Sequence, residues 1–168
     1  MPPPLRLAIL SADTPVPAAH ARYHGYFGVF SHLLARAVAP APLTSILDLS
    51  DYDVVSNPSP SAYPPLSTID AILITGSKHN AFDDDPWIVS LVEFVRKVIA
   101  DGRVRVVGVC FGHQIVARAL GVEVGRCDRG WEVSVTETRL TERGREVFGG
   151  RETVVSTCKH AYLCAVSE

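Results

Sequence analysis

Short apolar runs that stop at small or turn-forming residues alternate along the chain with longer stretches whose apolar positions recur every three or four residues. "LRLAIL", residues 5–10, empties into "SADTPVP", the pattern of a buried parallel strand followed by a loop. From Tyr23 to Val38, the residues Phe27, Phe30, Leu34 and Val38 mark one helical face, and Pro40 and Pro42 end it. "LTSILDL", 43–49, predicts a second strand. "SNPSPSAYPP", 56–65, holds too much proline for a regular element and predicts a surface loop that borders a site. "IDAILITG", 69–76, is the clearest strand, apolar almost throughout until Gly76.

Asp83, Asp84 and Asp85 stand before Pro86. Asp85 is expected to accept a hydrogen bond from the free amides of a helix start, with Pro86 at the first helical position, where no donor is needed. The carboxylates suit the positive end of the helix dipole and read as capping and solvation, not as metal ligands. Ile88, Leu91, Val92, Val95, Val98 and Ile99 then trace one helical face that Gly102 ends. A strand over 104–109 and a helix over 112–120 follow, closed by Gly121. "WEVSVTETRL" alternates, with Trp131, Val133 and Val135 on one side, and "TERGREVF" predicts a short helix capped by Thr141.

Strands alternating with helices predict an α/β fold, a three-layer, mainly parallel open sheet of the flavodoxin or Rossmann kind, here as a single domain over 1–168. Composition agrees: of 168 residues, 47% are hydrophobic and 20% charged. The formal net charge of −2 supplies no basic surplus for a phosphate backbone, so no nucleic-acid partner is expected. No run approaches the roughly 18 apolar residues of a membrane span. The start of the chain lacks the features of a secretory signal. A cytoplasmic protein with reduced cysteines is therefore expected. The spacing of Cys110, Cys127, Cys158 and Cys164 does not suit zinc, and no metal or cofactor is expected.

Active sites in parallel sheets lie beyond the carboxyl ends of the strands. Two loops meet that condition, "TGSKHNAF" after 69–74 and "CFGHQ" after 104–109. Gly108-x-Cys110-x-Gly112 is the cysteine counterpart of a nucleophile elbow, in which small residues let the chain turn sharply from strand to helix and hold the nucleophile up in a strained conformation. A thiol at a helix N-terminus is favoured as thiolate. The free amide of Phe111 then points to where a tetrahedral oxyanion forms, and Gly76 allows a second backbone amide to approach.

These motifs carry a resemblance. Over residues 5–150 the chain resembles class I glutamine amidotransferases of the triad type, whose elbow G-x-C-x-G-x-Q is matched by Gly108, Cys110, Gly112 and Gln114. It is most similar to their free-standing branch, the plant gamma-glutamyl peptidases and fungal amidotransferase-like proteins, through "ITGSKHNAFDDDPWI", "GVCFGHQIVARALGVEVGR" and "GWEV". The resemblance implies attack by Cys110 on the side-chain amide of glutamine, or on a gamma-glutamyl peptide bond, through a thioester. It implies Gly76 and Phe111 as oxyanion amides and Gln114, with Ser77 and His79, as substrate-binding residues. The expected partner is a small-molecule substrate; transfer to an acceptor requires a separate enzyme, since no synthetase domain is attached. Gln114 and the "TGSKHNAF" loop argue against the alternative cysteine-elbow hydrolases of the stress-protein and intracellular-peptidase type.

The resemblance also implies a base and its orienter from a late His-Pro-Glu, and the sequence has no His-Pro-Glu. His113, His79 and His160 are the substitutes the sequence offers; His20, His24 and His32 read as surface or packing residues. The resemblance ends near residue 155, where Val155-Ser156 can be encoded by the start of an intron. Residues after about 155 are therefore expected to be a read-through or diverged tail of a chain truncated relative to the family. The expected function is impaired cysteine hydrolysis or, alternatively, a non-catalytic remnant that binds.

Overall fold

In the computed structural model, residues 3–56, 59–126, 132–160 and 162–164 are described, with backbone alone for much of the last two stretches. The chain divides into two compact units, Met1–Val124 and Gly125–Cys164. In the first, β1 (Leu5–Ser11), β2 (Leu47–Asp53), β3 (Ala71–Ile74) and β4 (Arg105–Gly108) form a parallel sheet in the order β2-β1-β3-β4. The helices are α1 (Pro17–Tyr23), α2 (Tyr26–Val38), α3 (Pro86–Asp101) and α4 (Phe111–Ala119). This is the α/β open sheet that the apolar pattern predicts.

Alternation along the strands divides the core into two layers. Ala8, Leu10, Ile72 and Ile74 belong to one cluster, with Ile88, Leu91, Val95 and Val98 of α3 and Phe111 and Ile115 of α4. Leu7, Ile9, Ala71 and Leu73 belong to the other, with Phe30 of α2 and the flanking Tyr26, Phe27 and Leu34. Full burial of each large side chain contributes about 1.5–3 kcal/mol, which holds helices on both faces and leaves the carboxyl ends of the strands free for loops.

Four expectations change in detail. The helix expected from Tyr23 begins at Tyr26, and a separate helix that the sequence pattern did not announce, Pro17–Tyr23, precedes it across His24 (φ 60°) and Gly25 (φ 129°); a side chain at Gly28 would run into the Tyr23 carbonyl, so glycine there lets α2 close on the end of α1. Residues Leu43–Ser45 form a 3-10 turn instead of a strand, and β2 begins at Leu47 and runs on to Asp53. Its acidic "LDLSDYD" is tolerated because β2 is an outer strand of the sheet. The proline-rich loop contains a 3-10 turn, Pro60–Ala62, while 57–58 lie outside the described residues. Asp85 occupies the N-cap of α3 without a side-chain cap bond, and its backbone carbonyl accepts from Ile88 and Val89 at 2.9 and 3.0 Å.

In the second unit, β6 (Glu132–Arg139) and β7 (Thr153–His160) pair antiparallel, with α5 (Glu142–Val147) between them in sequence. Thr141 caps α5 as expected, its hydroxyl accepting from the Gly144 N–H at 3.1 Å. β5 (Val124–Arg126) pairs with β8 (Tyr162–Cys164). Cys127 and Trp131 lie outside the described residues, as do the side chains of Val133, Cys158 and His160. Among the described residues no helix is long and apolar enough to cross a membrane, and no cluster of His, Cys, Asp and Glu is placed to hold a metal.

Candidate active site

β3 and β4 are neighbours in register, Ile74 opposite Gly108, so the loops that follow them emerge side by side. After Gly108 the chain turns sharply into α4. Cys110 sits at that turn as the N-cap, with φ 54° and ψ −109°, a positive-φ conformation costly for a residue with a Cβ. Packing holds it there. A Cβ on Gly108 would lie 2.6 Å from backbone atoms of Gly112 and His113, and one on Gly112 would overlap the Ile74 carbonyl. Both glycines are therefore needed for α4 to start directly on the ends of β3 and β4.

Gly76 has a different role. A Cβ there would make ordinary contact, 3.7 Å from Cys110 Cβ and 4.0 Å from the Val109 carbonyl. What Gly76 provides is an uncovered backbone beside the thiol. The Cys110 carbonyl accepts from the amides of His113 (3.1 Å) and Gln114 (3.3 Å), and the Val109 carbonyl accepts from Gly112 at 2.9 Å. Among the described residues, nothing accepts from the amides of Gly76, Ser77 or Phe111. Phe111, first residue of α4, has the free donor that every helix start leaves over. These N–H groups and the α4 dipole give the surroundings of Cys110 a positive character.

Two anchors missed in the sequence hold the loop after β3. Thr75 is fully buried; its hydroxyl accepts from the Ala12 N–H at 2.9 Å and donates to the Gly76 carbonyl at 3.0 Å. With that carbonyl held, the planar trans peptide turns the Ser77 N–H the opposite way. The Asp13 carboxylate accepts from the Lys78 N–H at 2.8 Å, from the Lys78 ammonium at 2.9 Å and from the Thr14 N–H at 2.7 Å. Burial pushes the Asp13 carboxyl up, but these donors outweigh it and leave it below the ordinary carboxylate value. Thr75 has a faint sequence signal, one hydroxyl at the end of an apolar run. Asp13 has none, because its partner is remote in the chain.

The predicted substrate-binding residues divide between the two loops. Gln114 is buried in the first turns of α4. The Ser77 hydroxyl accepts from the His79 N–H at 3.1 Å. His79 meets Trp87 edge-on at 5.2 Å between ring centroids, and Trp87 stacks on Phe111 at 5.6 Å, an aromatic link from the β3 loop to the start of α4. Arg118 ties the same loop down from α4, donating to the carbonyls of Ala81 (2.9 Å) and Asp83 (2.7 Å) and pairing with Asp84 at 2.6 Å.

The candidate bases are placed as follows. His113 is exposed, with Nδ1 3.1 Å from the Cys110 carbonyl oxygen. His79 packs on Trp87; His32, expected to be a surface or packing residue and not a base, lies 5.4 Å from the Tyr23 ring. His160 ends β7 opposite Glu132.

An elbow cysteine between a parallel strand and a helix, faced by a second glycine loop, agrees with what the sequence comparison finds. Residues 22–167 match the class-I glutamine amidotransferase family. The chain belongs to that family.

The match continues through the segment after residue 155 that the sequence reading set apart as a tail. A glutamine amidotransferase-like protein of Schizosaccharomyces pombe is 41% identical over 147 residues, covering 85% of this chain and 58% of its own length. Gamma-glutamyl peptidase 3 of Arabidopsis thaliana is 33% identical over 137 residues, 80% of this chain and 51% of its own. The chain thus spans little more than half the length of these relatives. A glutamine amidotransferase of Thermotoga maritima has the same fold, with TM-score 0.69 at 12% identity over 96% of this chain and 63% of its own.

Proposed function

We propose that this protein cleaves the side-chain amide of glutamine or the gamma-glutamyl bond of a peptide, with Cys110 as nucleophile. The observation that carries the reading is the strained N-cap conformation of Cys110 beside Gly76. The thiolate, favoured by the start of α4, attacks the amide carbon. The carbonyl oxygen becomes an oxyanion that the amides of Gly76 and Phe111 receive. The carbon–nitrogen bond then breaks as the nitrogen takes a proton from water and leaves as ammonia or an amine, and the hydroxide so formed hydrolyses the remaining gamma-glutamyl thioester, which returns the thiolate. Gln114, Ser77 and His79 hold the glutamyl portion. Residues 1–168 hold no His-Pro-Glu, the motif from which triad-type relatives draw their base, so for this stretch of chain by itself proton transfer is the slow step.

The same feature favours a second reading, in which residues 1–168 by themselves bind a gamma-glutamyl ligand without turning it over. Release of ammonia or glutamate from glutamine and gamma-glutamyl peptides distinguishes them. Release that disappears in Cys110→Ala supports the hydrolase, binding without release selects the second reading, and release unchanged in Cys110→Ala refutes the assignment of Cys110.

A further inference from the structure

The proline-rich loop, expected from the sequence to border a site, borders a cavity that neither Cys110 nor the loop after β3 lines. Its residues 60–66 run beside α3 and enclose with it about 360 Å³, at the lower end of the range of small-ligand sites. Ser90, Glu93, Phe94 and Lys97 follow the i, i+3, i+4, i+7 spacing of one helical stripe and form the α3 wall, while Ile88, Leu91 and Val95 belong to the core. Pro60, Tyr63, Pro64, Pro65 and Leu66 form the facing wall. The Tyr63 hydroxyl is buried without a hydrogen-bond partner among the described residues, so the ring is held by its stacking on Phe94, 4.5 Å between centroids. Arg103 fastens the end of the segment, donating to the carbonyls of Leu66 and Ile69, the latter at 2.9 Å. Proline fixes φ, so this apolar wall is in place before a ligand arrives and binding has little to order.

We propose that this cavity binds a free aromatic α-amino acid. Small-ligand sites combine a mostly apolar and aromatic lining with a few polar groups that orient the ligand, and here the orienting groups are the Ser90 hydroxyl, the Glu93 carboxylate and the Lys97 ammonium. Burial pushes the Tyr63 phenol up to about 12, so it adds no charge. Glu93 and Lys97 therefore bring one charge of each sign, one helical turn apart, where i, i+4 side chains are neighbours. Neither side chain has an ion-pair or hydrogen-bond partner among the described residues. An α-amino acid carries its ammonium and carboxylate on one carbon and matches that pair: the ammonium meets Glu93, the carboxylate meets Lys97 and Ser90, and the ring lies against the prolines and the Tyr63–Phe94 stack. A ligand with only one charge leaves Glu93 or Lys97 unmatched. The inference stands apart from the reading of Cys110.

Isothermal titration of the full chain tests this with phenylalanine, 3-phenylpropionate, which lacks the ammonium, 2-phenylethylamine, which lacks the carboxylate, and alanine, which lacks the ring. Phenylalanine is expected to bind with a Kd of about 1 mM or tighter and the other three at least about tenfold more weakly. Glu93→Gln, an exposed substitution, is expected to bring phenylalanine down to the level of 3-phenylpropionate, and Lys97→Met, also exposed, to bring it down to the level of 2-phenylethylamine. Ser90→Trp, which fills the cavity from α3, is expected to abolish binding, with circular dichroism showing that α3 is retained. No binding of phenylalanine, equal binding of phenylalanine and its two singly charged analogues, or a preference unmoved by both charge substitutions overturns the proposal. Binding of phenylalanine that persists in a folded Ser90→Trp places the site elsewhere and overturns it as well.

Discussion

Replacing Thr75 by valine keeps the shape of the side chain and removes one hydroxyl that makes two hydrogen bonds. The Ala12 N–H, on a fully buried residue, loses its acceptor at 2.9 Å, and the half-buried Gly76 carbonyl loses its donor at 3.0 Å. An unsatisfied buried donor costs about 1–3 kcal/mol, and the partly exposed carbonyl, which water can reach, adds about 0.5–1 kcal/mol. The sum, about 1.5–4 kcal/mol, lowers the urea midpoint by roughly 1–2 M for a typical urea slope. The consequence for the site is more specific. With the Gly76 carbonyl released, the backbone of Gly76 is no longer tied through the Thr75 hydroxyl to Ala12, so its N–H is held less firmly toward Cys110 and a glutamine-analogue electrophile labels Cys110 slowly, while iodoacetamide, which needs no oxyanion site, labels it as before. Thr75→Ser, which restores the hydroxyl, is expected to recover both the midpoint and the analogue rate. A valine variant with unchanged midpoint and unchanged analogue labelling refutes the reasoning.

Cys110→Gly is expected to stabilise the fold by about 1 kcal/mol, because relief of backbone strain of about 1–3 kcal/mol exceeds the entropy cost of glycine; Cys110→Ala, which keeps the Cβ, gives no such gain, and thermal midpoints compare the two. Gly112→Ala forces a Cβ onto the Ile74 carbonyl and is expected to cost several kcal/mol or to leave no folded protein, as circular dichroism will show, whereas Gly76→Ala folds normally. Asp70 accepts from Arg6 through both guanidinium and backbone N–H, which lowers its pKa from 3.8 to about 2. Its folded value lies below the unfolded one, so its contribution is complete above pH 4 and is lost as pH falls toward 2. Urea midpoints across that range are expected to fall more steeply for the native sequence than for Asp70→Asn.

The strands, their parallel order and the elbow were legible because each rests on local signals: unbroken apolar runs, helix stops such as Gly102, and small residues on both sides of Cys110. Where the sequence misled, a tertiary cause intervened. β2 did not look like a strand over its acidic half because an outer strand needs no second apolar face. α1 was hidden because it buries no residue, and the apolar period begins only at Phe27, beyond the break at His24–Gly25. Asp85 had the right chemistry for a side-chain cap, yet its backbone carbonyl serves the helix start while Arg118 takes its neighbour Asp84. The anchors of the site were the least legible part, since Asp13 and Lys78 meet only when β1 lies beside β3, and no periodicity records that meeting.

The central claim is that Cys110 forms a covalent gamma-glutamyl intermediate. Mass spectrometry of the protein, acid-quenched during incubation with gamma-glutamylalanine and digested, measures this directly. The account predicts a gamma-glutamyl increment on the peptide containing Cys110, removed by hydroxylamine and absent in Cys110→Ala. A substrate turned over with no adduct at Cys110, or with the adduct on another residue, contradicts it.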